Sequence, residues 1–170
     1  MKITVLCGSA RPNANSLAYS KAFKEGAESA GHEVEIVNIA QMNIAGCRGC
    51  EYCHTEGNGK CVQRDDMDKV WEKLEGAELV VLASPVYYWS FSGQMQSTIT
   101  RFYCKGLPSA QKYAMILSSG SPGVYDSIIN QYRSILNYGK KEDAGVLTFN
   151  GDDQPDKYVN EVREFAKNIK

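Results

Sequence analysis

Apolar positions along the chain follow two alternating rhythms. "ITVLCG" (3–8) is a short continuous apolar run ending at Gly8, and "EVEIVNI" (33–39) alternates with a period of two; both predict strands. Between them, residues from about 16 to 30 are helix-like and stop at Gly31, a helix terminator. Asp65 and Asp66 read as an N-cap pair. Met67, Val70, Trp71 and Leu74 follow at i, i+3, i+4 and i+7, one apolar helix face. "AELVVLASP" (77–85) is nearly all apolar and ends at Pro85, the pattern of a central parallel strand covered on both faces. A helix is predicted over roughly 93–103, a strand over 112–120, and a helix striped by Ile128, Ile129, Tyr132, Ile135 and Leu136. A fifth strand at 144–151 precedes a last helix after Pro155, with Tyr158, Val162, Phe165 and Ile169 on one side.

Strict alternation of five strands with five helices predicts an α/β fold, a parallel sheet with right-handed crossovers and helices on both faces. For one domain spanning 1–170, the expected architecture is the flavodoxin-like, doubly wound order 2-1-3-4-5. Ligands of such sheets sit beyond the carboxyl ends of the strands, so the loops after strands one, three and four are the ones expected to bind. A cysteine-rich insertion at about 40–65 follows strand two and is expected to emerge on that same edge.

Composition narrows the classes. A net charge of −1 gives no basic face for nucleic acid and no acidic tail. No run approaches the roughly 20 apolar residues of a membrane span, and the apolar opening "MKITVLCGSA" is too short for a signal-peptide core. A cytoplasmic location is expected, where thiols stay reduced.

"GSARPNANS" (8–16) joins the first strand to the first helix, where free amides and the helix dipole favour an anion. Ser9, Asn13, Asn15 and Ser16 add short donors and Arg11 a guanidinium, so phosphate is the expected ligand. The loop is neither a Walker loop nor a GxGxxG dinucleotide turn. After Pro85, the three consecutive aromatics Tyr87, Tyr88 and Trp89 exceed what a strand-end loop buries, which suits a flat apolar ligand or a partner subunit.

Residues 47–61 read "CRGCEYCHTEGNGKC". "CEYCH" matches a haem-attachment motif only formally, since that chemistry needs export. A thioredoxin-type pair would open a helix, and "HTEGNGK" does not. Zinc prefers two separated pairs, although His54 could serve. The spacing C-x2-C-x2-C, with Cys61 as a fourth thiol, matches the compact ligand spacing of [4Fe–4S] proteins. A loop of reduced thiols is the alternative. Cys7 and Cys104 fall on strand and helix patterns and are assigned to the core.

Three segments together, "GSARPNANS", "CRGCEYC…GKCVQRDDM" and "SPVYYWSFSGQMQSTITRF", resemble the flavodoxin-like NAD(P)H-dependent FMN reductases, and more narrowly the branch that includes the iron–sulfur flavoproteins. The resemblance implies that the first loop, through Leu17, holds the FMN phosphate. It implies that Pro85, Val86, Tyr87, Tyr88 and Trp89 line the isoalloxazine ring, and that Ser118, Ser119 and Gly120 approach it from the next strand. It also implies that Cys47, Cys50, Cys53 and Cys61 hold a [4Fe–4S] cluster. Trp89 stands where many members carry Gly, and Gln96 and Thr100 where many carry Lys and Asp. No catalytic side chain is expected, because the flavin does the chemistry with NAD(P)H as co-substrate. The expected partners are a small-molecule or protein electron acceptor and a second copy of the chain in a homodimer or higher homo-oligomer. A flavodoxin-like carrier and a flavin- or metal-binding sensor without turnover are the alternatives.

Overall fold

The computed structural model describes residues 1–151 and 155–170. Its strands are β1 (Lys2–Cys7), β2 (Glu33–Val37), β3 (Leu79–Tyr87), β4 (Ser90–Phe91), β5 (Lys112–Ser119) and β6 (Glu142–Asn150). Its helices are α1 (Asn15–Ser29), α2 (Met67–Leu74), α3 (Gly93–Arg101), α4 (Asp126–Gly139) and α5 (Val159–Lys167). The parallel strands run in the order β2-β1-β3-β5-β6, the expected doubly wound order.

The continuous apolar strands are split by the two-residue pleat into two cores. Leu6, Val80, Leu82, Met115 and Leu117 point to the face covered by α2, α3 and α4, where Met67, Val70, Met95, Ile128 and Tyr132 meet them. Ile3, Val5, Leu79, Val81, Ala114 and Ile116 point to the other face, under α1 and α5, against Tyr19, Phe23, Val162 and Ala166.

Two expectations are corrected. Pro85 does not end its strand. It is the last residue of β3 in register with β5, and the strand continues to Tyr87. It then turns back, pairing Val86 with Phe91 and Tyr87 with Ser90, so the sheet gains a sixth, two-residue strand. At α2 the N-cap residue is Asp66, as expected of the pair, and what differs is which side chain caps. Asp66 makes no side-chain cap; Asp65 accepts from the Met67 amide at 3.1 Å, while Asp66 accepts from the Asn43 amide and from Lys69. Among the described residues no helix is long and apolar enough to cross a membrane.

Candidate functional site

The loop after β1 arrives at α1 with an unusual cap. Ala14 is the N-cap, in extended conformation with no side-chain bond, and the first turn has no acidic residue. The Leu17 amide donates to the Ala14 carbonyl at 3.0 Å, but no side-chain oxygen and no carboxylate caps the amides ahead of it, the arrangement an external anion satisfies. Ser9 and Ser16 are fully buried, and Asn15 nearly so. Ser9 Oγ and Asn15 Oδ1 are buried without a partner. Leaving such atoms unpaired costs about 1–3 kcal/mol each, and a ligand phosphate with an adjoining hydroxyl chain would relieve it.

Hydrogen bonds draw the neighbouring strand ends to this loop. Ser16 Oγ meets Ser118 Oγ at 3.1 Å, and Asn15 Nδ2 donates to the Gly151 carbonyl at 3.4 Å. Ser16 thus joins α1 to β5 through a hydroxyl pair in which either oxygen can be the donor. A cavity of about 80 Å³ lies where the three strand ends meet, lined by Arg11, Asn15, Pro85, Val86, Tyr87, Ser118, Ser119 and Gly120. Gly151, at the end of β6, completes it and was not anticipated. At 10–15 Å³ per water position, that is room for a phosphate group and not for a tricyclic ring. Ser9, Asn13, Ser16, Leu17, Tyr88 and Trp89 do not line it.

Exposed aromatic surface lies just outside, at the β3–β4 hairpin. Tyr88 and Trp89 form its two-residue turn, both left-handed, at φ 52° and 59°. Hairpins of this length favour Asn-Gly there, because bulky residues resist positive φ. Strain of this kind clusters at binding and catalytic segments, and here it stands beside a polar cavity. The turn is held by Ser127 Oγ, which donates to the Trp89 carbonyl at 2.5 Å, and by Ser84 Oγ, which accepts from the Ser92 amide at 3.1 Å. Tyr87, Tyr88 and Trp89 are 50%, 94% and 55% exposed, so their faces are open to a ligand or a second copy.

The cysteine run is placed elsewhere. The chain leaves β2 on the expected edge, passes the first loop where Gln41 Nε2 donates to the Ala10 carbonyl, and then follows α3 to its far end. Cys47, Cys50, Cys53 and Cys61 line a cavity of about 20 Å³ together with Arg101, Tyr103 and Cys104. The nine residues of α3, about 14 Å long at 1.5 Å per residue, separate these thiols from the hairpin. The expectation that the run lies at the flavin edge is therefore corrected: its root is there and its thiols are not.

Cys104 is the residue that the sequence assigned to the core. It is buried, with Sγ 3.3 Å from the Gly59 carbonyl, yet it is a fifth thiol of this cavity. Burial and the neighbouring Cys53 push its pKa up to about 11. His54 turns away, its Nε2 3.0 Å from the Tyr103 carbonyl. Among the described residues no three His, Cys, Asp or Glu side chains are placed around one metal ion. A closed zinc site needs sulfurs about 3.8 Å apart, as tetrahedral Zn–S bonds of about 2.3 Å require. Thiolates are the soft donors that zinc and iron–sulfur clusters both use, and Cys47, Cys50, Cys53 and Cys61 on one cavity wall are the set that would hold either. The Gly49 amide already donates to Cys47 Sγ at 3.4 Å.

Gly57 shapes this loop: a Cβ there would stand 2.4 Å from the Lys60 carbonyl oxygen and 2.7 Å from that of Tyr52. Gly57→Ala is expected to abolish iron uptake during anaerobic reconstitution as completely as Cys53→Ser, although it removes no thiol. Full iron content in Gly57→Ala would show that the loop geometry is irrelevant.

The family model of NADPH-dependent FMN reductases matches residues 1–150. The chain belongs to that family. Among curated relatives, this FMN reductase family member is 41% identical over 101 residues to an iron-sulfur flavoprotein of Archaeoglobus fulgidus, covering 59% of this chain and 45% of that one. It is 34% identical over 101 residues to an iron-sulfur flavoprotein of Methanosarcina thermophila, covering 59% and 52%. The match spans about half the length of these relatives. Among solved structures, an NAD(P)H:quinone oxidoreductase from Methanothermobacter marburgensis superposes with a TM-score of 0.72 at 16% identity, covering 99% of this chain and 98% of that one. A flavodoxin from the domain Archaea gives 0.62 at 16% identity, covering 99% and 96%. At such identities the likeness is one of fold, and it agrees with the doubly wound order.

Proposed function

We propose that this chain is a single FMN-binding domain acting as an NAD(P)H-dependent oxidoreductase that passes electrons to a small-molecule or protein acceptor. The observation that carries the reading is the uncapped N-terminus of α1 with Ser9 buried and unpartnered beside it, at the cavity that Arg11, Asn15 and Ser118 help to line. That set suits a phosphate monoester bearing a flat ring. Arg11 and the first amides of α1 neutralise and hold the phosphate, Ser9 and Asn15 take polar groups next to it, and Pro85, Val86 and Tyr87 direct the ring toward the exposed aromatics of the hairpin. Asn13, Leu17, Tyr88, Trp89, Ser119 and Gly120 complete the proposed set. FMN held there would supply the redox chemistry, and these residues would bind and orient it for the nicotinamide and the acceptor.

Cys47, Cys50, Cys53 and Cys61 are assigned as the thiolates of a [4Fe–4S] cluster, and Cys104, bonded to the Gly59 carbonyl, as a bystander. Family membership and the iron-sulfur names of the relatives support this assignment. A homodimer follows from the apolar surface left open, namely the hairpin aromatics and a groove of about 940 Å³ lined by Ile99, Phe102, Leu107, Ile135 and Tyr138. A monomer by light scattering would contradict it. We place the protein in the cytoplasm, in keeping with its free cysteines.

FMN-loaded protein is expected to oxidise NADPH or NADH in the presence of a quinone or ferric acceptor. Absence of turnover with both, in protein that binds FMN, would leave a carrier or sensor. In a flavin fluorescence titration Arg11→Ala is expected to weaken FMN binding about ten- to hundredfold, the worth of a charge-assisted bond of about 1.5–3 kcal/mol. Ser9→Ala is expected to weaken binding severalfold while leaving the free protein as stable or more so, because it removes an unpaired buried hydroxyl. Ser16→Ala acts through the lost bond to Ser118 and weakens both. Unchanged affinity in Arg11→Ala and Ser9→Ala together would rule out phosphate in this loop.

A further inference from the structure

Arg101 is the last residue of α3 and is 2% exposed, following Met95 and Thr98 on the face that α3 buries. A guanidinium seldom occupies such a position without a task. One side of it is fully engaged. Nη1 donates to Asp65 Oδ2 at 2.5 Å and to the Ala45 carbonyl at 3.0 Å. The Asp65 carboxylate is in turn fixed by the amides of Ala45 and Met67, each at 3.1 Å. On the other side Nε is buried and has no partner, and the Cys61 side chain lies within reach of the guanidinium. The same side chain is part of the wall of the thiol cavity, with Cys47, Cys50, Cys53, Cys61 and Cys104. Burial works against its charge, but the bond to Asp65 and that carboxylate's charge outweigh it, and the nearby Cys61 thiol adds to the effect, so its pKa is raised.

Burying a donor without an acceptor costs about 1–3 kcal/mol, more on a charged group, and this one costs it in a cavity whose walls are acceptors once deprotonated. The ion pair is oriented: its carboxylate end is consumed by backbone amides, and its cationic end adjoins sulfur. We infer that Arg101 is a positioning residue of the cysteine site, its Nε–H donating to the Cys61 thiolate of the bound cluster and its charge favouring the reduced state. The inference rests on the assignment of a cluster to these cysteines. Hydrogen bonds to cluster sulfurs and local net charge are what set cluster potentials. Reduction adds one electron and one negative charge to the cluster, and the fixed guanidinium stabilises that charge without a proton being taken up.

The test uses protein reconstituted anaerobically with ferrous iron and sulfide, comparing the parent, Arg101→Lys, and the double variant Arg101→Gln/Asp65→Asn, which removes both charges and leaves neither alone. Iron and sulfide content is measured first, then the cluster midpoint in an EPR-monitored redox titration, with far-UV circular dichroism and FMN binding as controls for the fold. The double variant is expected to retain the fold and to shift the midpoint negative by about tenfold in the reduced-to-oxidised ratio, which is 59 mV for one electron. Arg101→Lys, which keeps the charge but not the fixed planar donor, is expected to shift it by less in the same direction. Should the double variant not fold, the Arg101→Lys midpoint decides. A variant midpoint equal to that of the parent overturns the role of Arg101. A parent that takes up no iron overturns the cluster assignment itself, a different and separately visible failure.

Discussion

Asp65→Ala is expected to melt about 6–20 °C below the parent. The estimate follows from leaving Arg101, 2% exposed, as a buried cation without its counter-charge. Breaking a buried pair by removing one partner costs about 3–5 kcal/mol, and each kcal/mol is worth about 2–4 °C in a chain of this size. The carboxylate does more than pair: it holds the Ala45 amide at 3.1 Å and the first turn of α2 through Met67, so its loss also frees the entry to the cysteine loop. The pH dependence has a definite sign. Burial raises the Asp65 pKa, but the bond from Arg101 and the two amide bonds overcome it, and the net shift is downward. A depressed carboxylate contributes stability above its unfolded value of about 3.9, lost as the pH falls through the folded value. Melting temperatures of the parent and variant are thus expected to converge in acid and to differ fully at neutral pH. A variant within about 2 °C of the parent at pH 7 would remove the ion pair from any account of stability.

The second expectation runs the other way. Replacing Tyr88 and Trp89 by Asn and Gly, the pair that this hairpin turn prefers, is expected to raise the melting temperature by about 2–8 °C. Two bulky residues at φ 52° and 59° each cost about 1–2 kcal/mol. Part of the gain is returned as the larger chain entropy of Gly, leaving about 1–2 kcal/mol net. The same variant is expected to bind FMN more weakly, because both exposed rings are gone. Gain in one property and loss in the other, measured by calorimetry and flavin titration on one preparation, is the signature of strain kept for function. A lower melting temperature would mean that the turn is relaxed as it stands.

These two sites also show what a sequence discloses. The near-continuous apolar run at 77–85 shows a doubly covered strand, since only such a strand tolerates apolar residues on both faces, and the period-two split into two cores follows. The hairpin was hidden because its turn residues are Tyr and Trp rather than Asn and Gly, and because Pro85 looks like a strand end. The short polar side chains at the strand–helix junction were legible, whereas the pairing of Ser16 with Ser118 was not, because the two lie 102 residues apart on different elements. The thiol spacing was plain, but no periodicity tells which way a long irregular loop runs, so its docking at the far end of α3 went unseen. Cys104 escaped for the same reason: its companions lie far away in sequence. Arg101 did leave a trace, as a charged residue in register with Met95 and Thr98.

That docking has a consequence for how the molecule ages in air. In protein that carries no cluster, Cys47 and Cys50 are the exposed thiols, and stepwise oxidation to sulfenic and then sulfinic acids would begin with them. The cavity at the strand ends lies a helix length away and shares no lining residue with the thiols. Oxidation confined to those thiols would therefore leave the residues at the strand ends chemically unchanged.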